Sequence, residues 1–208
     1  MKIVIFGATG SIGRHLVSQA LAANHHVTAF ARKPQMLQIS HPNLTLFNGD
    51  VYHYDCVVDA IKNKDCVLIT LGSKKLTGKV RSVGTRNIVQ AMQQQKVKRL
   101  ICQTTLGMGE SYAVLNFYWK FIMFGLLLRA VFNDHKKQEA IVKNSSLDWT
   151  IVRPSAFNDN NASKDYRSGF LNNDKNLQLS ISRKNVAHFM LQQVKENTYI
   201  KQSPGISN

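Results

Sequence analysis

Short apolar runs alternate with longer amphipathic segments along most of the chain. The apolar runs have the length of strands and stand at residues 3–6, 26–30, 44–47, 66–71, 98–104 and 148–153. The amphipathic segments that follow them predict helices at 11–23, 55–63, 80–95, 133–144 and 183–195. A chain that alternates strands with helices folds as a parallel sheet with helices on both faces. The pattern therefore predicts an α/β fold built on a doubly wound parallel sheet.

The length and composition indicate a single domain that spans residues 1–208. A chain of this size can bury a full hydrophobic core. The three cysteines, Cys56, Cys66 and Cys102, lack the paired close spacing of a disulfide framework or a zinc site, so we predict a reducing compartment and no metal. Because a core strand begins at residue 3 with no charged and apolar signal segment before it, we expect a cytoplasmic protein.

The first strand runs directly into a turn with three spaced glycines. Gly7 can take backbone angles closed to other residues, Gly10 leaves room for a pyrophosphate against the main chain, and Gly13 lets the next helix pack close on the strand. The N-terminus of that helix offers free N–H donors to phosphate oxygens. The alternative is an ordinary corner between a strand and a helix. We predict a dinucleotide site, whose phosphate-binding residues are Gly7, Thr9, Gly10, Ser11, Ile12 and Gly13.

The end of the second strand indicates which dinucleotide is bound. NAD sites place an acidic residue there to bind the ribose hydroxyls, whereas this chain has Arg32. An arginine can hold a 2′-phosphate through two parallel hydrogen bonds. Arg32 therefore predicts NADP(H) in preference to NAD(H), with Lys33 beside it and Arg14 of the first helix as supporting cations. The alternative is that Arg32 and Lys33 are exposed loop charges.

Two further strand ends add candidate cofactor contacts. Asp50 and Val51 follow the third strand, where a carboxylate can accept a hydrogen bond from an adenine amino group. An aspartate at such a position can instead stabilise a turn. Leu71, Gly72 and Ser73 close the fourth strand, where small residues let the backbone approach the ribose of the cofactor.

Residues 112–132 form a strongly apolar stretch. Its unbroken apolar part, Phe121 to Leu128, is far shorter than the ~20 residues that cross a bilayer, so we predict no transmembrane span. The alternatives are a wall or lid of a substrate pocket, a subunit interface, a peripheral membrane contact and plain helical core. Lys120 and Arg129 interrupt the stretch and favour a pocket for a flat apolar molecule that carries anionic groups.

The chain is strongly basic, with 27 Lys and Arg against 12 Asp and Glu and a formal charge of +15. Such an excess raises the local concentration of anionic ligands. The basic residues are dispersed, and no recognition helix, aromatic RNA-binding signature or zinc finger accompanies them. We therefore expect a small anionic ligand rather than nucleic acid.

Several motifs together resemble those of the atypical short-chain dehydrogenases, and within them the biliverdin-IXβ reductase/flavin reductase branch and its NmrA-like relatives. These motifs are Gly7-Ala8-Thr9-Gly10-Ser11-Ile12-Gly13, Arg32, Gly49-Asp50-Val51, Gly72, Gly84-Thr85-Arg86-Asn87-Ile88-Val89 and Leu147-Asp148-Trp149-Thr150-Ile151-Val152-Arg153-Pro154. The resemblance covers nearly the whole chain. It implies a single NAD(P)-binding domain of the Rossmann type, with 106–132 and 155–180 as excursions on the substrate side.

The resemblance also implies roles for residues at the ends of the fifth and sixth strands. Thr104 and Thr105 stand in the neighbourhood of the catalytic serine or threonine beside the nicotinamide. The residues implied to line the nicotinamide and the substrate are Arg153, Pro154, Ser155 and Phe157, with Arg86 and Gln103 as further cofactor contacts.

The chain lacks the residue pair that ordinary short-chain dehydrogenases use. They place a lysine four residues after a tyrosine, because the ammonium lowers the pKa of the phenol so that it exchanges a proton with an alcohol or a carbonyl. None of the six tyrosines has a lysine at that spacing. We therefore expect an acceptor whose conjugated system delocalises the charge. Its proton would come from water, from Thr105 or from His135, which as an alternative belongs to a polar helix face.

Together these observations predict an NADPH-dependent reductase that passes a hydride to a planar conjugated acceptor, namely a flavin, a biliverdin-like tetrapyrrole or a quinone. A flavin would then be a substrate and not a tightly bound cofactor. The alternative is a regulatory or interaction protein of the NmrA-like type, which would sense NADP(H) without turning anything over. Both hypotheses allow a monomer or a homodimer.

Overall fold

The computed structural model describes residues 1–73, 77–160, 166–170 and 177–208. Within these ranges the chain forms strands β1 (Lys2–Phe6), β2 (His26–Ala31), β3 (Leu44–Asn48), β4 (Cys66–Ile69), β5 (Arg99–Gln103), β6 (Asp148–Pro154), β7 (Ala156–Asn158), β8 (Arg167–Ser168), β9 (Ser180–Ser182) and β10 (Gly205–Ser207).

Eight of these strands form one sheet, in the order β3-β2-β1-β4-β5-β6-β10-β8. Neighbouring strands are parallel except β10 and β8, and β7 pairs with β9 in a separate small sheet. The chain extends the sheet first on one side of β1 and then, from β4 onward, on the other side. The predicted doubly wound α/β fold is confirmed, and the reversal leaves a crevice at the carboxyl ends of β1 and β4.

The α-helices of the described ranges cover both faces of the sheet. They are α1 (Gly13–Ala22), α2 (Tyr54–Ile61), α3 (Val80–Gln94), α4 (Arg129–Lys143) and α5 (Arg183–Gln192). On one face α1 packs against α5, and on the other α3 packs against both α2 and α4. The side chain of Ser182 caps α5 by accepting a hydrogen bond from the Asn185 N–H.

Strand β1 is apolar on both of its faces because helices cover both. Ile3 and Ile5 belong to the core layer that contains α1 and α5, whereas Val4 and Phe6 belong to the layer with α2 and α3. All four side chains are fully buried. A central parallel strand therefore reads as a continuous apolar run and not as an alternating pattern.

The structure moves several of the predicted boundaries, among them the end of β4 and the start of α4. Strand β4 ends at Ile69 and not at residue 71, because the Thr70 hydroxyl turns to the carbonyl oxygens of Phe6 and Gly7, at 3.1 and 3.3 Å. Helix α4 begins at Arg129 and not at residue 133, because it continues directly from the apolar stretch.

The two predicted excursions differ in how much of them is described. The stretch 112–132 folds as a 3₁₀ turn (Gly109–Tyr112), a π-helical segment (Tyr118–Leu127) and the start of α4. In the described ranges, no helix is both long enough and apolar enough to cross a membrane. The excursion at 155–180 contains β7 and β8, and its residues 161–165 and 171–176 lie outside the described residues.

Arg153 of β6 is the centre of a buried ion network. Its side chain has 0% exposure, and its Nε and Nη2 donate to the two carboxylate oxygens of Glu139 in α4, at 2.9 and 2.7 Å. Its Nη1 donates to Glu110 at 2.7 Å, and the Thr104 hydroxyl donates to Glu139 at 2.8 Å. The network therefore joins β6, α4, the end of β5 and the turn at Gly109–Tyr112.

We expect Glu139→Gln to lower the free energy of unfolding by about 3 kcal/mol or more, because it leaves the buried Arg153 cation without its main partner. Lys143→Ala is the matched control, since the Lys143 ammonium lies 3.4 Å from Glu139 but is partly exposed. Apart from the change in helix propensity that alanine brings, Lys143→Ala should change the free energy of unfolding by no more than about 0.5 kcal/mol. Urea unfolding of both variants measures the difference. If both variants lose the same free energy of unfolding, the buried pair of Arg153 and Glu139 contributes no more to stability than the partly exposed pair.

Candidate cofactor and substrate cleft

A cleft of about 1330 Å³ runs along the carboxyl edge of the sheet. It is lined by the turn after β1, by the ends of β2, β4 and β5, by the apolar stretch and by residues after β6. This edge, beside the strand reversal between β1 and β4, is where open α/β sheets bind ligands. Pockets for one small ligand measure roughly 300–1,000 Å³. The cleft therefore has room for two ligands side by side.

The glycine turn packs closely against the end of β4. Gly7 has φ of +85°, and a Cβ on it would lie 2.5 Å from the Thr70 carbonyl oxygen. A Cβ on Gly13 would overlap the Gly7 carbonyl oxygen, so this glycine permits the close approach of α1. A Cβ on Gly10 would be in tight contact, 3.1 Å from the Gly7 oxygen. Gly10 lines the cleft beside the start of α1, where the Arg14 N–H already donates to the Gly10 carbonyl oxygen at 3.1 Å.

One end of the cleft carries Arg32 and Asp50. Arg32 follows β2 directly and is exposed on the cleft surface, and its carbonyl oxygen accepts a hydrogen bond from the Asn48 side chain at 3.2 Å. One Asp50 carboxylate oxygen accepts from the Tyr52 N–H at 3.1 Å. Asp50 thus stabilises a turn, as the alternative held, and lines the cleft as well. We call this the Arg32 end of the cleft.

The other end of the cleft has an apolar wall. Trp119 and Phe124 lie with ring centroids 5.6 Å apart, and Phe124 and Phe132 with centroids 4.7 Å apart. Gln103, Thr105 and other polar residues line the same end. An apolar wall with a few polar groups suits a flat ring system. The apolar wall consists of Leu115, Trp119, Phe124, Leu128, Val131 and Phe132.

The two candidate threonines after β5 have different environments. Thr104 is buried and its hydroxyl donates to Glu139, so it holds the ion network together. Thr105 is half-buried, and its hydroxyl makes a long hydrogen bond of 3.3 Å to the Leu106 carbonyl oxygen. Of the two, Thr105 therefore has the hydroxyl that a ligand can engage.

His135 of α4 lines the cleft as a neutral side chain. Its Nδ1 lies 3.0 Å from the Gln138 Oε1, and the Gln138 amide nitrogen donates to Thr85 at 3.1 Å, which assigns the ring proton to Nδ1. Burial and the Arg81 cation lower the pKa of His135 from 6.5 to about 4. At neutral pH its Nε2 is therefore a hydrogen-bond acceptor and not the proton donor that the sequence hypothesis required.

The structure brings most of the predicted site residues into this one cleft. The turn and the Arg32 end contribute Gly7, Thr9, Gly10, Ser11, Ile12, Arg32, Asp50 and Val51. The ends of β4, β5 and β6 together with α4 contribute Leu71, Gly72, Ser73, Gln103, Thr104, Thr105, His135, Pro154, Ser155 and Phe157.

Four predicted cofactor residues lie beside the cleft without lining it. Gly13 lies behind the turn, where its role is to let α1 pack. Arg14 is exposed and its guanidinium reaches back to the Thr9 carbonyl oxygen at 3.5 Å. Lys33 and Arg86 are exposed outside the cleft. Their placement gives no support to a direct contact with the cofactor.

The position of Arg153 corrects one of the predicted cofactor contacts. The Arg-Pro motif was expected to place its guanidinium at the nicotinamide, but the side chain leaves β6 on the side of Glu139 and Glu110. Its hydrogen bonds to these two carboxylates leave it fully buried and outside the cleft. Pro154, the next residue of β6, lines the cleft in its place.

Arg81 lines the cleft and was missed by the sequence analysis. Its side chain is 11% exposed, and its Nε and Nη1 have no hydrogen-bond acceptor among the residues that the structure describes. Its ion pair with Asp134 spans 3.9 Å, because that carboxylate accepts from the N–H groups of Arg81 and Ser82 and from the Ser82 hydroxyl. Because these two nitrogens are themselves buried, the Arg81 cation acts on the cleft through its charge and not through hydrogen bonds from them. No motif surrounds Arg81 in the sequence.

Tyrosine and lysine differ in their relation to the cleft within the part of the chain that the structure describes. Tyr52 lines it at the Arg32 end, next to Asp50 and Val51. Among the described residues that line the cleft there is no lysine.

Comparison with known proteins relates this chain to a family by its sequence and to a group of solved structures by its fold. The model of a family described as NAD(P)H-binding matches residues 7–197. A 3-beta-hydroxysteroid dehydrogenase of Mycolicibacterium neoaurum is 30% identical over 113 residues, which are 48% of this chain and 31% of that protein. The chain thus spans about a third of the length of this curated relative and of a second one, an isoflavone reductase-like protein of Olea europaea.

Several solved structures share the whole fold, and each match covers 100% of this chain. The oxidoreductase ylbE of Lactococcus lactis has a TM-score of 0.86 at 23% identity, with 91% of its chain covered. A short-chain dehydrogenase/reductase of Veillonella parvula in complex with NADP has 0.82 at 19% identity and 94% coverage. The anaerobillin reductase ChuY of Escherichia coli O157:H7 has 0.76 at 22% identity and 97% coverage.

The low pKa of His135 predicts how stability changes with pH. Between pH 6.5 and about 4 the unfolded chain binds a proton on this side chain that the folded chain excludes, so stability falls as the pH is lowered through that window. From pH 7 to pH 5 the effect is about 2 kcal/mol. His135→Gln should remove this part of the pH dependence. Urea unfolding at both pH values measures it.

The matched control is His26→Gln, at an exposed position at the start of β2. This variant should lose stability between pH 7 and pH 5 as the parent chain does. If His135→Gln keeps the full pH dependence of the parent, then His135 is not buried as a neutral group.

Proposed function

Because this chain belongs to the NAD(P)H-binding family, we propose that it is an NADPH-dependent reductase that passes a hydride to a planar conjugated acceptor. The observation that carries the proposal is the single cleft that joins the glycine turn and Arg32 to an apolar wall with Thr105 beside it. One end has the groups that a phosphorylated dinucleotide needs. The other has the shape and polarity that a flat, weakly polar acceptor needs.

The residues present fit NADP(H). A Cβ would close the space at Gly7 and Gly13, and Gly10 lines the cleft at the start of α1, which provides a cradle for a pyrophosphate. Arg32 would bind the 2′-phosphate, and Asp50 would accept from the adenine amino group through the carboxylate oxygen that does not bind Tyr52. Leu71, Gly72 and Ser73 would lie against the ribose.

Bound NADPH would supply the hydride, and the protein's own residues would position the acceptor and exclude water. The aromatic rings of the apolar wall would stack on a planar acceptor. The Thr105 hydroxyl would bind a polar edge of the acceptor or pass a proton to it. His135, neutral at pH 7, would accept a hydrogen bond through Nε2. The Arg81 cation beside the cleft would attract an anionic substituent of the acceptor through its charge.

Two structural relatives support this choice of cofactor and acceptor. The Veillonella parvula protein was solved in complex with NADP, and ChuY is an anaerobillin reductase. With the Arg32 end and the apolar wall in one cleft, these relatives favour NADPH as the donor and a biliverdin-like tetrapyrrole as the acceptor.

One observation favours the alternative of an NADP(H)-sensing protein without turnover. Of the three candidate catalytic side chains, Thr104 is committed to Glu139 and His135 is neutral with its Nδ1 bonded to Gln138. This leaves Thr105 alone as a group able to donate to the acceptor. The apolar wall nevertheless leaves the cleft open beside Gln103 and Thr105, and an open cleft suits a reductase better than a sensor.

The first test concerns the 2′-phosphate. Arg32→Ala should weaken NADPH binding roughly tenfold to a hundredfold, because it removes charge-assisted hydrogen bonds. NADH binding should change little, since NADH has no phosphate at that position. Titration of cofactor fluorescence measures both affinities. Lys33→Ala is the matched control, an adjacent exposed cation outside the cleft, and it should leave the NADPH affinity within about twofold. Equal weakening of both cofactors by Arg32→Ala would refute the assignment.

The second test concerns the reaction. The protein should oxidise NADPH in the presence of FMN, FAD, biliverdin or a quinone, as measured by loss of NADPH absorbance. It should not oxidise NADPH with a simple ketone or aldehyde, because no tyrosine–lysine pair is there to protonate an alkoxide. Tight NADPH binding with no turnover of any conjugated acceptor would favour the sensor over the reductase.

A further inference from the structure

The segment from residue 117 to residue 127 has two apolar sides, and only one of them faces the cleft. Trp119 and Phe124 belong to the apolar wall. The other side is exposed, with 70% exposure at Phe117 and 74% at Leu126. The rings of Phe117 and Phe121 are 4.8 Å apart, so the exposed residues adjoin each other. We call this side the outer face; it consists of Phe117, Tyr118, Phe121, Ile122, Leu126 and Leu127.

An outer face of this kind is unusual for a helix that meets only water. A helix that is apolar all round is normally buried in a core or in a membrane. The π-helical segment Tyr118–Leu127 is apolar except for Lys120, yet none of its residues is buried. With ten residues it is too short to cross a bilayer, which needs about 20. The outer face is therefore suited to lie on an apolar partner and not to span one.

The charge around the outer face identifies the partner. Residues 111–133 contain no aspartate or glutamate, and their charged residues are Lys120 and Arg129. The Lys120 ammonium lies 5.4 Å from the centre of the Tyr112 ring and donates to the Ala113 carbonyl oxygen at 3.4 Å. A cation beside exposed aromatic and aliphatic residues matches the headgroup region of an anionic bilayer. The formal charge of +15 on the whole chain adds long-range attraction to the same surface.

A second copy of the chain fits this face less well. In a symmetric dimer the two outer faces would meet, because each patch contacts its own copy. Each copy would then bring Lys120 and Arg129 to the vicinity of the interface, and residues 111–133 offer no carboxylate to pair with them. Like charges across an interface disfavour association. The same cations are favourable against anionic lipid headgroups.

We propose that the outer face binds the surface of an anionic bilayer, with its aromatic and aliphatic side chains in the boundary between headgroups and acyl chains. The apolar wall on the inner side of the same segment then lies next to the membrane surface. If the chain is the reductase proposed above, an acceptor dissolved in the bilayer enters the cleft beside this segment. This last step rests on the proposed function, whereas binding to the bilayer does not.

The experiment is co-sedimentation of the full chain with vesicles of phosphatidylcholine and phosphatidylglycerol, with vesicles of phosphatidylcholine alone for comparison. The parent chain should partition onto the anionic vesicles, and added salt should weaken this. Leu126→Ser should weaken partitioning roughly tenfold or more, because a large apolar contact is lost. Arg129→Gln should weaken it roughly fivefold, as expected for one cation near the surface.

Two control variants lie away from the segment. Leu46→Ser removes an exposed leucine of the edge strand β3, and Lys62→Gln removes an exposed lysine after α2. Both should partition nearly as the parent does, and all four variants should keep the NADPH affinity of the parent in the absence of vesicles. If the parent chain does not bind NADPH, the proposed function is refuted. The result with vesicles would still decide whether the outer face binds a bilayer.

Three results would overturn the inference. The first is a parent chain that does not sediment with anionic vesicles at low salt. The second is a Leu126→Ser variant that sediments as the parent does. The third is a dimer in sedimentation velocity that Leu126→Ser dissociates, which would assign the outer face to a second copy of the chain.

Discussion

The ion pair between Arg153 and Glu139 determines how the second half of the fold is assembled. Arg153 leaves the central strand β6, and Glu139 fixes the rotation of α4 about its axis because both of its oxygens accept from the guanidinium. The same rotation places His135, one turn earlier, on the cleft. The Thr104 hydroxyl on Glu139 ties down the end of β5, and Glu110 on Arg153 ties down the turn from which the apolar stretch departs. A charge that lies outside the cleft thus sets the geometry of the end that carries the apolar wall.

The glycine turn, which lies toward the Arg32 end of the cleft, depends on a different constraint. Here the backbone of the turn after β1 packs directly against the backbone at the end of β4. The turn after β1 comes so close to Thr70 that a side chain at Gly7 would strike the Thr70 carbonyl oxygen at 2.5 Å. The Thr70 hydroxyl reinforces this contact through the carbonyl oxygens of Phe6 and Gly7. The contact joins the end of β1 to the end of β4, and no member of the ion network around Arg153 takes part in it.

That difference explains how much the sequence could predict. The strands, the glycine turn, Arg32 and the shared edge of Gly72 and Asp50 follow from periodicity and from spacing near strand ends, and the structure brings them together. The direction of the Arg153 side chain does not follow from spacing, because its partner belongs to a helix whose rotation depends on tertiary packing. The motif around Arg153 was predicted correctly as a strand, and its Pro154 lines the cleft, whereas the Arg153 side chain lies outside the cleft. Arg81 was missed for a similar reason, since its environment arises from Asp134, which is 53 residues away in the chain.

The apolar stretch shows the limit of reasoning from composition. Composition left a pocket wall, an interface, a membrane contact and a core as alternatives, because each of them requires apolar residues. The structure separates the stretch into residues that line the cleft and residues that face outward, so that two of these roles belong to one helical segment. A helical segment that is apolar on both sides is unfavourable in water, because folding leaves the apolar side chains of its outer side exposed to solvent. A wall of this kind is stable when the environment beyond it is apolar as well, and the absence of carboxylates from residues 111–133 restricts that environment to one that tolerates cations.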